Sequence, residues 1–229
     1  MKLKSFGCSF IYGSDLPDEI ILPGSRASNY SWPALIADQT GLTYECYARP
    51  GTGNLRILER IIEQSISNNS SDLFVIGWTW IDRFDYYNNN NDINYTIMPM
   101  QNTNLANFYY KNFHSQYRDK LTTLIHIRSA VDLLQQKQIP FIMTCMDNLI
   151  FETEWHTSQA IKDLQEYVTP YITNFDNKTF LEWSQENNFP ISPTLHPLKE
   201  AHQAGAKLML SKIKSHFNNS NKLLNQIKI

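Results

Sequence analysis

Three groups of residues in this chain are of the types that acyl transfer requires. Ser9 follows Gly7-Cys8, a tight turn that would present its hydroxyl beside backbone N–H groups. A serine hydroxyl is almost wholly un-ionised near neutral pH, so it becomes a nucleophile only with a base beside it. His196, in the run Ser192-Pro193-Thr194-Leu195-His196-Pro197, is the candidate base, held in a turn that Pro197 stiffens. The third group is a donor set, Gly51 with the side chain of Asn54 or Thr79, of the kind that binds the oxyanion of a tetrahedral intermediate. Trp78, Trp80 and Arg83 follow the same stretch as Thr79. Their rings and guanidinium suit a pocket wall that grips a carboxylate or sugar hydroxyl, although a tryptophan here serves a core equally well. His202 is expected to pack or cap a helix, and Cys8 to act as a small buried hydrophobe.

Chemistry of other kinds has little support. His114, His126 and His156 show no ligand spacing with one another or with cysteine, so no metal site is expected. Neither a G-x-x-x-x-G-K phosphate loop nor a G-x-G-x-x-G turn after a strand is present, and no cofactor is expected.

The elements that must position these residues are legible as alternating strands and helices. Lys2 to Phe6 reads as a strand ending at Gly7, and Leu42 to Tyr47 as a second, running into the turn-rich Arg49-Pro50-Gly51-Thr52-Gly53. Asp72 to Gly77 is apolar enough for a strand covered on both faces, and Ile139 to Thr144 is a fourth. Between them, Ser31 caps a helix that Gly41 closes. The segment after Asn54 predicts a helix with Leu55, Leu58, Ile61, Ile62 and Ser65 on one face. Leu121 to Gln138 predicts another, with Leu124, Ile127, Val131 and Leu134 inward, and Leu198 to Phe217 closes the fold. Such alternation argues for an α/β architecture with a parallel sheet, whose ligands sit beyond the carboxyl ends of the strands.

Length and composition set the bounds. The 229 residues carry 20 Lys+Arg against 22 Asp+Glu, a net charge of -2 that gives no electrostatic case for nucleic acid or an anionic membrane. Hydrophobic residues at 42% exclude a disordered chain, and no apolar run is long enough for a membrane span. Cys8, Cys46 and Cys145 are too few for a disulfide framework, and the N-terminal residues lack the apolar region of a secretory signal, so a cytoplasmic location is expected. One domain over residues 1–217 is expected, with an Asn- and Tyr-rich insertion or lid at 84–120 and a tail at 218–229 that packs on the body or a partner.

Four short motifs together resemble the SGNH hydrolase superfamily, the GDSL-type lipases and esterases, in a divergent branch that opens with G-C-S-F. Gly7-Cys8-Ser9-Phe10 matches the first block, with Ser9 in the nucleophile's place. Gly51-Thr52-Gly53-Asn54 matches the second, and Val75-Ile76-Gly77-Trp78-Thr79 falls where the third is expected, Thr79 standing in its asparagine's position. His196-Pro197 matches the last, with His196 as base. The resemblance implies a three-layer, flavodoxin-like α/β/α fold around a parallel sheet of roughly five strands. It implies a serine ester hydrolase acting on a small acyl ester such as an O-acetylated carbohydrate. One departure stands out: the family's acid lies three residues before the histidine, where this chain has Pro193, and no Asp or Glu lies between Glu186 and His196. The expected site is therefore a Ser9–His196 dyad without the aspartate, a backbone carbonyl of Ser192 or Pro193 orienting the ring. Asp147 is a distant substitute acid, with a solvated loop aspartate as its ordinary reading. The alternative is a catalytically weak or inactive scaffold that binds a glycan or protein partner through the insertion.

Overall fold

A computed structural model describes residues 1–19, 26–66 and 72–218 of the chain. In chain order its elements are β1 (Lys2–Phe6), α1 (Ser9–Tyr12), α2 (Trp32–Thr40), β2 (Thr43–Cys46), α3 (Asn54–Ile66) and β3 (Leu73–Trp78). There follow β4 (Phe84–Asn88), β5 (Ile93–Ile97), α4 (Asn104–Asn112), α5 (Gln116–Gln136), β6 (Phe141–Cys145), α6 (Gln159–Val168), α7 (Phe180–Glu186) and α8 (Lys199–Asn218). The tail expected at 218–229 lies, beyond Asn218, outside the described residues.

Strands β2, β1, β3 and β6 pair in that order, all parallel. Among the described residues the sheet has four strands, and next to β6 a parallel bridge joins Met143 to Ile172. Strand β3 is buried at every position, as a central strand covered on both faces must be. Its side chains alternate between two cores. Leu3, Val75 and Ile142 face a cluster with Ile36 of α2 and Met209 of α8, while Phe74, Ile76 and Met143 face Ile57, Leu124 and Leu164 of α3, α5 and α6. The three layers follow from that period of two.

Helix α3 lies one position round from its expected face. Asn54, Ile57, Leu58, Ile61 and Ser65 are buried, whereas Leu55 and Ile62 are exposed. The reason is Asn54, a polar residue that the helix turns inward to hold the end of β3. The Asn-rich insertion is ordered structure: β4 and β5 form an antiparallel hairpin, and α4 follows it. Asp85 ties the hairpin to the body, accepting hydrogen bonds from the N–H groups of Gly53 (2.9 Å) and Arg56 (3.0 Å) at the start of α3. A Cβ on Gly53 would lie 2.5 Å from the Asp85 carboxylate, so only glycine allows this approach. Among the described residues, no helix is long and apolar enough to cross a membrane.

Candidate active site

Ser9 opens the single turn of α1 directly beyond the carboxyl end of β1. The turn that carries it depends on Gly7. Its φ of 156° and the packing of Ile11 leave no room for a side chain, since a Cβ there would meet Ile11 Cγ1 at 2.5 Å and the Gly77 carbonyl oxygen at 2.9 Å. As the first residue of a helical turn, Ser9 has a backbone N–H with no helical acceptor. His196 arrives from the opposite end of the chain, in the turn before α8, and its ring packs against that of Phe10 with centroids 5.2 Å apart. Ser9 and His196 line one cavity of about 510 Å³, together with Gly51 and Arg83. Among the described residues Ser9 Oγ makes no hydrogen bond to the imidazole; such contacts commonly tighten only when substrate is bound.

The imidazole is held by a carboxylate, which overturns the expected dyad. Asp15 Oδ2 lies 2.8 Å from His196 Nδ1 and accepts hydrogen bonds from Ser192 Oγ at 2.6 Å and from Thr194 Oγ1. Thr194 Oγ1 is itself 3.0 Å from His196 Nδ1. Asp15 lies in the turn after α1, six residues beyond Ser9, while position 193, where an acid is expected from the family resemblance, is a proline. Burial alone would raise the Asp15 carboxyl, but hydrogen bonds from Ser192, Thr194 and His196, with the His196 charge, outweigh it and hold the group below the ordinary carboxylate value. The backbone bends to make this contact: Asp15 and Leu195 both adopt left-handed φ, 67° and 66°. With Nδ1 bonded to Asp15, Nε2 is the nitrogen left to receive a proton.

Asp147 takes no part. It is buried, accepting hydrogen bonds from the N–H groups of Ile81 (3.2 Å) and Leu149 (3.0 Å), so it is neither the acid nor a solvated loop aspartate.

The donor set is smaller than expected. Gly51 lines the cavity, but Asn54 does not. The Asn54 side chain is spent on the backbone beyond β3, its Oδ1 accepting from Thr79 N–H at 2.8 Å and its Nδ2 donating to Thr79 O at 3.1 Å. Thr79 is fully buried behind the wall, its hydroxyl without a partner among the described residues. Trp78 belongs to the core, its Nε1–H directed at Met143 Sδ. Trp80 is the tryptophan at the cavity. The Arg83 guanidinium lies 4.8 Å from its ring centroid and donates to Thr52 O at 2.9 Å, bracing the Gly51 loop.

His202 is buried and accepts a hydrogen bond from Trp32 N–H (3.0 Å) at the start of α2, the capping role expected of it. Burial pushes its pKa down to about 3. No group of three His, Cys, Asp or Glu among the described residues is placed to hold a metal ion.

Solved structures share this arrangement of layers. The psychrotrophic esterase EstA of Pseudoalteromonas sp. superposes with a TM-score of 0.55 at 13% identity, over 95% of this chain and 98% of that one. A lipolytic G-D-S-L family protein of Veillonella parvula gives 0.50 at 12% identity, over 92% and 97%. The chain has the SGNH hydrolase fold. An acetyl xylan esterase of Butyrivibrio proteoclasticus, Est2A, gives 0.52 at 12% identity, over 95% of this chain and 64% of that one. No family model matches the sequence, and no curated protein does.

Proposed function

We propose that the protein is a serine ester hydrolase working through a Ser9–His196–Asp15 triad. The observation that carries this reading is the Asp15–His196 Nδ1 contact of 2.8 Å on an imidazole that shares its cavity with Ser9. Ser9 Oγ adds to the acyl carbonyl carbon while His196 Nε2 takes the hydroxyl proton. Asp15 fixes the tautomer and stabilises the imidazolium. The backbone N–H groups of Ser9 and Gly51 are the oxyanion donors. The intermediate collapses as His196 returns the proton to the departing alcohol oxygen, and water then cleaves the acyl-enzyme by the same route. The fold shared with the acetyl xylan esterase Est2A makes an O-acetylated carbohydrate a substrate to test.

The non-catalytic alternative draws on one feature, the burial of Thr79 where an oxyanion donor was expected. Losing one such donor typically lowers kcat by about 10²–10³. A fluorophosphonate probe followed by intact mass separates the two readings. A single adduct on the parent chain and none on Ser9→Ala supports the hydrolase. No adduct on folded protein supports the scaffold.

A further inference from the structure

The cavity beside Ser9 is walled by Phe10, Trp80, Met98, Met100, Leu181 and Leu195. Several of its polar side chains already have protein partners, and the Asp82 carboxylate also lines it. Ser14 Oγ donates to Glu19 at 3.1 Å, Thr194 to Asp15, and Arg83 to the Thr52 carbonyl. The Asp82 carboxylate and the Arg83 N–H groups not given to Thr52 are set in a wall that is otherwise mostly apolar, so most of a sugar's hydroxyls would meet carbon rather than a hydrogen-bonding partner.

Met98 and Met100 come from the exit of the β4–β5 hairpin, so the insertion builds one side of this wall. That side is anchored. Tyr110 of α4 donates its hydroxyl to Asp82 O at 2.6 Å and lies 3.3 Å from Ile97 O, joining the hairpin exit to the segment after β3. Gln101 closes the turn, its N–H bonding Met98 O at 3.0 Å. Methionine is unbranched and fits itself to flexible apolar groups.

We propose that this wall selects an ester whose acyl group is a straight alkyl chain several carbons long, in preference to acetyl, with Met98 and Met100 as the specificity-determining contacts. The proposal rests on the hydrolase reading for its placement of the acyl carbon, but its test does not depend on turnover.

The binding arm uses full-length Ser9→Ala and straight-chain methyl ketones of increasing length, titrated by calorimetry. Each added methylene is expected to lower Kd about fourfold, equivalent to ~0.8 kcal/mol of buried CH₂, until the cavity is filled. The rate arm uses p-nitrophenyl esters from acetate to octanoate on the parent chain, where kcat/KM should climb in the same way. Met100→Gln, at a rim position 91% exposed and so without consequence for folding, should flatten both slopes. A slope in binding without hydrolysis upholds the alkyl cavity and overturns the hydrolase reading. Hydrolysis with no slope in either arm, or an acetylated xylo-oligosaccharide bound more tightly than every ketone, overturns the proposal and leaves the hydrolase reading intact.

Discussion

Asp15→Asn tests the triad most directly, because the substitution keeps the shape and removes the charge. Replacing the triad acid by its amide costs about 10⁴ in kcat where the acid is the sole partner of Nδ1. Here it is not the sole partner. Thr194 Oγ1 also lies 3.0 Å from Nδ1 and can accept its proton, preserving the productive tautomer in part of the population. The Asp15 side chain is also one-third exposed, so solvent screens its stabilisation of the imidazolium. Both effects reduce the loss, and we expect kcat/KM to fall by about 10²–10³, or ~3–4 kcal/mol at 1.36 kcal/mol per decade. Adding Thr194→Val removes the substitute acceptor and should bring the loss to about 10⁴. The assay is p-nitrophenyl ester hydrolysis across pH, paired with the rate of fluorophosphonate labelling. Stability gives a second readout. The folded-state pKa of Asp15 lies below its unfolded value, so its contribution is present above about pH 4 and is lost as pH falls through the folded value. The difference in Tm between parent and variant should therefore close in acid. A folded Asp15→Asn with unchanged kcat/KM and an unchanged labelling rate would refute the triad.

His196→Ala should cost as much activity as Ser9→Ala, and the double variant little more than either, since the two act as one unit; additive losses in kcat/KM would separate them. His202→Ala should leave the labelling rate near the parent's but unpair Trp32 N–H, at about 1–3 kcal/mol, read as a lower Tm. Because His202 titrates at about 3 when folded, the unfolded chain binds the extra proton first; its contribution is full above about pH 6.5 and is lost as pH falls toward 3, so the parent's Tm should fall more steeply than the variant's across that window. Asp85→Ala strips the acceptor from Gly53 N–H and Arg56 N–H, and should destabilise by about 3 kcal/mol and slow labelling of Ser9, measured by urea unfolding and probe kinetics.

What the sequence disclosed, and what it hid, divides along the range of the interactions. β1 and β3 are legible because strands buried on both faces must be apolar throughout, and Gly7-Cys8-Ser9 because a tight turn after a strand needs glycine. The inward positions of α5 follow from its own periodicity. Asp15 is not legible because its partner is 181 residues away and its neighbours, Gly13 and Ser14, mark only the end of a helical turn. A signal existed in Ser192 and Thr194, two hydroxyls spaced about His196 as an anion would want them. The hairpin was hidden by composition: Asn-rich runs look like loop, yet Ile93-Asn94-Tyr95-Thr96-Ile97 has strand alternation. Asn54 resembled an oxyanion donor by motif, and only the tertiary contact with Thr79 shows its amide already committed.

Placing the acid on the nucleophile's segment also sets when the site can come into being during synthesis. Ser9 and Asp15 leave the ribosome almost together, and all four strands of the sheet are complete at Cys145. His196 follows about fifty residues later, a lag of about 3–10 s at ordinary elongation rates. Throughout that interval the nascent chain carries an unactivated serine and an aspartate without its imidazole. On the hydrolase reading, activity should therefore switch on only after the last turn before α8 has docked.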